Sequence, residues 1–171
     1  MRLFVAVNFN DTTCASLMAL RDELRHKAVR GKFSVPENLH LTLVFLGECD
    51  AEQAARAKAA MDAVNLTSFT VTIDRIGRFR RDGGDIWWAG IREDKPLINL
   101  HQDLTDRLTS VGFELEKRRY SPHVTLGREV VSKESPREIE PFGETVSMIE
   151  LMKSEHIYGK LTYTAIYKKT I

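Results

Sequence analysis

Asn38-Leu39-His40-Leu41-Thr42-Leu43-Val44-Phe45-Leu46-Gly47 is the stretch of this 171-residue chain that decides its fold. Side chains alternate along an extended strand, so His40, Thr42, Val44 and Leu46 are predicted on one face, and Leu39, Leu41, Leu43 and Phe45 on the other. The second set makes a continuous core face. The first carries an imidazole and a hydroxyl about 7 Å apart, two residues at ~3.3 Å rise, close enough for both to touch one phosphate-sized group. The arrangement returns at Ser121-Pro122-His123-Val124-Thr125-Leu126. Chance would produce that pair on the order of once in a thousand chains of ordinary composition. A single histidine on an apolar strand is ordinarily a hydrogen-bonded structural residue, but the repetition points to shared chemistry.

The offset of 83 residues that carries His40 onto His123 also carries Phe4 onto Trp87, Ala6 onto Ala89 and Leu17 onto Leu100. Each half reads strand, helix, His-x-Thr strand. Residues 1–171 are therefore expected to form one two-lobed domain built by internal duplication, its half-repeats centred on His40 and His123. A pseudo-twofold axis between the lobes would turn both His-x-Thr faces into one cleft.

The intervening chain supplies elements for both lobes. A strand is expected over Arg2–Asn8, then a helix capped by Asp11, running to about Ala28 and ended by Gly31. A second helix follows Asp50, with Gln53 in the capping-box position. Phe69–Ile76 and Ile86–Ile91 read as a hairpin about the Arg80–Asp85 turn, and a third helix starts near Pro96 and stops at Gly112. Ser132–Pro141 reads as a polar linker. Two closing strands, about Thr145–Ile157 and Leu161–Lys169, turn at Tyr158-Gly159-Lys160.

Composition limits the function. With 43% hydrophobic residues, 29% charged residues and a formal net charge of +1, the chain has no broad cationic field for coating long nucleic acid. Cys14 and Cys49 form neither a metal spacing nor a disulfide framework and read as buried thiols. The opening apolar run breaks at Asn8, too short for a signal core, and no stretch approaches a membrane span, so a cytoplasmic protein without membrane association is expected. Each strand offers one imidazole with a threonine, a poor zinc ligand, so neither a metal nor any other cofactor is expected. No nucleophile elbow or phosphate loop is present. Two imidazoles with ordinary pKa values near 6.5 can instead divide the work, one neutral as base and one protonated as acid. Thr42, Thr125 and Arg128 are candidates to hold the non-bridging oxygens of a phosphate, and Phe4 and Tyr120 to stack on a base. Strict alternation aims Arg128 away from His123, so a bulge or strand end must redirect it. His26, His101 and His156 fall outside the pattern, the first two as helix-surface groups. Arg75, Arg78, Arg80 and Arg81, and Lys117, Arg118 and Arg119, form basic runs that suit either a solvated rim or a guide for an RNA backbone.

These residues resemble the two-histidine phosphoesterase superfamily, defined by paired His-x-Thr-x motifs. Within it the chain is similar to the bacterial and archaeal RNA 2′,3′-cyclic phosphodiesterases, also called 2′-5′ RNA ligases. The likeness covers Arg2–Val7, Pro36–Leu43, Phe45–Gly47, Trp88–Gly90 and Ser121–Arg128. It implies an α+β, bilobal fold in which two mainly antiparallel sheets flank a central cleft, with helices outside. It also implies metal-independent opening of a terminal 2′,3′-cyclic phosphate to a 2′-phosphate, with His40 as proton donor and His123 as proton acceptor, and reversible ligation as a further activity. RNA ends such as those of tRNA halves are the implied partners, met by a monomer. Alternatives are a cyclic phosphodiesterase for a small nucleotide or ADP-ribose derivative, a non-catalytic RNA-end binder, and a metal-dependent phosphatase.

Overall fold

The computed structural model describes all 171 residues, Met1–Ile171. The chain runs β1 (Arg2–Asn8), α1 (Asp11–Lys27), β2 (Arg30–Phe33), a 3-10 turn (Pro36–Asn38), β3 (His40–Glu48), α2 (Ala51–Ala63), β4 (Phe69–Phe79) and β5 (Asp85–Ile91). It continues through α3 (Lys95–Ser110), β6 (His123–Val131), β7 (Arg137–Val146), β8 (Met148–Ile157) and β9 (Lys160–Thr170). The strands form two sheets, ordered β3-β1-β8-β9 and β2-β6-β5-β4-β7. Every pairing is antiparallel, so the expected α+β class and its two antiparallel sheets are what the molecule has.

Each helix begins where the sequence offers an acceptor for its free N–H groups. Asp50 and Gln53 form the complete capping box of α2, and Asp94 caps α3. The cap of α1 is Asn10, whose side chain accepts from Thr13 N, and Asp11 lies inside the first turn. Gly31 does not end that helix: α1 stops at Lys27, and Gly31 belongs to β2. The Ser132–Pro141 linker is likewise corrected, because residues from Arg137 onward form β7. Pro141 fits there because β7 lies at a sheet edge, where a missing donor costs no ladder bond.

The two sheets share one core. Leu3, Val5 and Leu41 from the first join Ile73, Trp87 and Leu126 from the second in a single buried cluster with Leu17, Met61 and Leu104 of the helices. The opposite face of β1 carries Phe4 and Ala6, packed with Met152 and Tyr163. Connections cross between lobes: α1 packs on β2, β6 and β7 of the second sheet, while α3 touches β3 and β4, one strand from each sheet.

Alternation along β3 does not hold to its end. Val5 pairs with Val44 but Ala6 with Thr42, so Leu43 is an extra residue in a bulge. Beyond it the faces exchange: Val44 is buried and Phe45, expected in the core, is 59% exposed. The same irregularity recurs on β6, where Trp88 pairs with Thr125 but Trp87 with Gly127, leaving Leu126 as the extra residue. Each bulge therefore falls three residues after its histidine and returns the fifth residue, Phe45 or Arg128, to the histidine's face. In the adjoining strands Ala6 and Trp88 hold equivalent positions, opposite Thr42 and Thr125, one residue short of the offset read from sequence. Trp87 is fully buried while Trp88 is the one beside His123.

Trp88 needs a glycine opposite. It pairs with Gly77 on β4, and a Cβ at that position would lie 2.4 Å from the indole. Gly77→Ala is expected to overpack the site and lower unfolding stability by about 1–3 kcal/mol. Urea denaturation of the variant measures it, and an unchanged midpoint would show that the indole has room to move.

Candidate active site

Each histidine opens its strand directly after a segment that orients it. The 3-10 turn presents the carbonyl of Asn38, which accepts from His40 Nδ1 at 2.8 Å. On the other strand His123 Nδ1 donates to the Ser121 carbonyl at 2.7 Å. Both bonds reach back two residues, fix the proton on Nδ1 of the neutral ring, and leave Nε2 as the unprotonated nitrogen. His40 Nε2 lies 2.9 Å from Thr42 Oγ1, whose hydroxyl donates to it when the ring is neutral. His123 Nε2 and the Thr125 hydroxyl have no protein partner at all, and the Thr125 carbonyl is occupied by the Ser34 hydroxyl at 2.9 Å.

Aromatic rings hold both imidazoles. Phe4 and Tyr163 stand 4.9 and 5.1 Å from the His40 ring, the latter edge-on. Phe79 stands edge-on to His123 at 5.2 Å, with Trp88 at 6.1 Å. Burial disfavours the charged imidazole, and the neighbouring Arg128 guanidinium adds to that effect at both rings. His40 is brought down to about 4, chiefly by desolvation and against the opposing pull of its Asn38 bond. His123 is lowered too, by the same leading cause.

Thr42, Phe45, Tyr120, His123, Thr125 and Arg128 all face a cavity of about 430 Å3 between the sheets, whereas His40 does not line it and reaches it only through its bond to Thr42. That volume lies within the range of small-molecule sites. Arg128 forms no ion pair, so its guanidinium is available to an anion. The bulge at Leu126 is what turns it inward, and Gly127 beside it packs tightly, since a Cβ there would meet Phe33 and Val130 at 3.0 Å.

The two residues expected to stack on a base sit in different settings. Phe4 is 2% exposed and enclosed by His40, Phe45 and Tyr163, so it packs against the His40 ring and presents almost no surface. Tyr120 has one face covered by His101, parallel at 3.9 Å, and its hydroxyl donates to the Thr42 carbonyl at 2.9 Å. Burial raises the Tyr120 pKa, which keeps that donor protonated. His101 thus lines the cavity instead of lying on an uninvolved helix surface. Phe45 is the exposed aromatic in the cleft, and strict alternation concealed it. No group of three His, Cys, Asp or Glu side chains is placed to hold a metal ion, and no helix is long and apolar enough to cross a membrane.

Two antiparallel sheets presenting paired His-x-Thr strands to one cleft define a two-histidine phosphoesterase architecture. The chain belongs to the 2′-5′ RNA ligase superfamily, whose family model matches residues 9–155. The RNA 2′,3′-cyclic phosphodiesterase of Archaeoglobus fulgidus is 34% identical over 138 residues, 80% of this chain and 76% of its own. That of Thermotoga maritima is 28% identical over 131 residues, 75% of this chain and 70% of its own. Among solved structures, Escherichia coli LigT complexed with 3′-AMP superposes with a TM-score of 0.86 at 26% identity, covering 99% of this chain and 97% of LigT. A structure from Thermus thermophilus, that of the protein TT0787, gives 0.81 at 27% identity, covering 99% and 97%.

The Tyr120 hydroxyl ties the loop before β6 to β3 in the other sheet. Tyr120→Phe is expected to cost about 0.5–1.5 kcal/mol of stability, the ordinary worth of one such bond. Chemical denaturation reads the difference, and a value near zero would mean that water replaces the hydroxyl without loss.

Proposed function

We propose that the protein is a metal-independent RNA 2′,3′-cyclic phosphodiesterase that opens a terminal cyclic phosphate to a 2′-phosphate. The observation that carries this is the pair of imidazoles, each held through Nδ1, with His123 facing the cleft directly and His40 bonded through Nε2 to the cleft-lining Thr42, beside a guanidinium that no carboxylate neutralises. The relatives' names support the cyclic-phosphodiesterase part of this reading. In-line displacement at phosphorus needs a base and an acid on opposite sides of it, an arrangement that one imidazole from each lobe suits. The RNA ends of tRNA halves are the substrates we favour, the working unit is a monomer, and a 5′-hydroxyl attacking in place of water would break the same P–O3′ bond and form a 2′-5′ linkage, a ligation that is itself reversible. The matching bulges at Leu43 and Leu126 support reading the two halves as products of a duplication within one domain.

In this mechanism His123 is the proton acceptor. Its lowered pKa keeps the ring neutral near pH 7, with the Nε2 lone pair open to an attacking water. His40 is the donor and must gain a proton, because in the free protein its pKa of about 4 leaves it neutral. The entering phosphate anion favours the imidazolium and raises that value. His40 then protonates the departing 3′-oxygen and leaves phosphate on the 2′-oxygen. Arg128 and the hydroxyls of Thr42 and Thr125 hold the non-bridging oxygens as charge accumulates. Phe45 offers the aromatic surface for the terminal base.

Incubation with a short RNA ending in 2′,3′-cyclic phosphate tests the reading directly. The product should resist an enzyme specific for 3′-phosphates, and release of phosphate would reverse the assumed substrate orientation. His40→Ala and His123→Ala should each slow turnover by about 10²–10⁴, whereas the exposed His156→Ala should not. Folded variants that keep normal turnover would remove the mechanism.

The pH dependence has a definite sign. An acid with a lowered pKa loses its proton at lower pH, so the bell of kcat/KM, which reports the free protein, should peak below the ordinary imidazole value of about 6.5. The kcat profile should lie at higher pH, because the bound anion stabilises charged imidazole. Arg128→Gln removes a cause of lowering at both rings and should move the kcat/KM peak upward. A wild-type peak above about pH 7 would contradict the electrostatics described.

A further inference from the structure

The cavity is larger and more cationic than one cyclic phosphate requires. Its walls carry Arg81, Arg118, Arg119 and Arg128 against one carboxylate, Glu116, in a chain whose formal net charge is +1. Arg128 and the histidines are enough for the single negative charge of a cyclic diester. The remaining arginines, Arg81, Arg118 and Arg119, line the same cavity. Arg81 stands over the Phe79 ring at 5.7 Å, and the same ring meets His123 edge-on at 5.2 Å. Arg81 has no carboxylate partner: its guanidinium donates to the Arg80 carbonyl, and its own backbone N–H is held by Asp85 at 3.0 Å. Arg118 pairs only with Glu116, two residues away and equally exposed, and its charge reaches His123. Such a pair exchanges readily for a better anion, because exposed ion pairs contribute little. Arg119 differs, being engaged with Glu93 at 2.7 Å.

The geometry points to a second anion subsite, formed by Arg81 and Arg118, that binds the phosphodiester on the 5′ side of the terminal nucleotide. A 2′,3′-cyclic phosphate occupies both ribose hydroxyls of the last residue, so the next phosphate of an RNA lies only in the 5′ direction. This rests on the hydrolase reading and specifies its substrate: an oligonucleotide end in preference to a free nucleoside cyclic phosphate. Cationic side chains beside aromatic surface are the ordinary means of holding single-stranded nucleic acid without reading its sequence.

Three substrates separate the possibilities: a nucleoside 2′,3′-cyclic phosphate, a dinucleotide ending in the same group, and that dinucleotide with its internal linkage replaced by uncharged methylphosphonate. The natural dinucleotide should exceed the other two by about tenfold or more in kcat/KM, the order of advantage that a charge-assisted contact gives. In Arg81→Ala/Arg118→Ala that ratio should fall to near one. Arg25→Ala, on α1 and outside the cavity, should leave the ratio as it is. Added salt should reduce wild-type kcat/KM more steeply for the charged dinucleotide than for the mononucleotide, a comparison that needs no variant. Equal rates on all three substrates, or a preference that survives loss of both arginines, overturn the subsite and leave the hydrolase reading intact. No turnover of any of them overturns both.

Discussion

The hydrogen bond from each imidazole Nδ1 to the carbonyl two residues before it is the constraint on which the cleft depends. It decides which nitrogen carries the resting proton, turns the ring relative to its strand, and directs the other nitrogen away from the backbone carbonyl. Neither bond can form unless the backbone ahead of the strand curls back. At His40 the 3-10 turn at Pro36–Asn38 provides that, and at His123 the Ser121-Pro122 segment does. The rings behind the histidines then prevent the imidazoles from swinging away.

Electrostatics separate two sites that sequence makes alike. Thr42 is engaged with its own histidine, whereas Thr125 is free. His40 is the more strongly desolvated ring, so in the proposed mechanism it needs the ligand's charge to become an acid, whereas the proposed base His123 needs none. The equivalent bulges deliver different side chains into one cleft, an aromatic ring from β3 and a guanidinium from β6. The symmetry of the backbone thus supports an asymmetric ligand, with a phosphate to be neutralised on one side and a base to be covered on the other.

Much of this was legible in the chain because it rests on local rules. The paired His-x-Thr segments, the core faces of the three helices, the complete capping box at Asp50 and the turns at Gly83-Gly84 and Tyr158-Gly159 all follow from short-range pattern. What escaped depends on partners distant in sequence. β2 and β7 are edge strands with one neighbour and much exposed surface, so they carry little hydrophobic alternation to read. Bulges are set by pairing between strands, and they hid Phe45 in a supposed core face while leaving the direction of Arg128 open. The His101–Tyr120 stack joins a helix to a loop, and no spacing along the chain announces it.

The crossed connectivity also governs when the cleft can exist. β1, the neighbour of the His40 strand, pairs on its other side with β8, which begins only at Met148, and β9 closes the same sheet at the far end of the chain. Pairings of such long separation form late, since the closure entropy must be met before any contact rewards it. During synthesis the second sheet can assemble while the first still waits for its last two strands. A ribosome product broken off before β8 would carry both histidines and yet have no Tyr163 behind His40 and no finished lobe to hold it. The sheet that backs His40 is therefore completed only after β8 and β9 are in place, and the lobe that carries the second histidine can be finished before it.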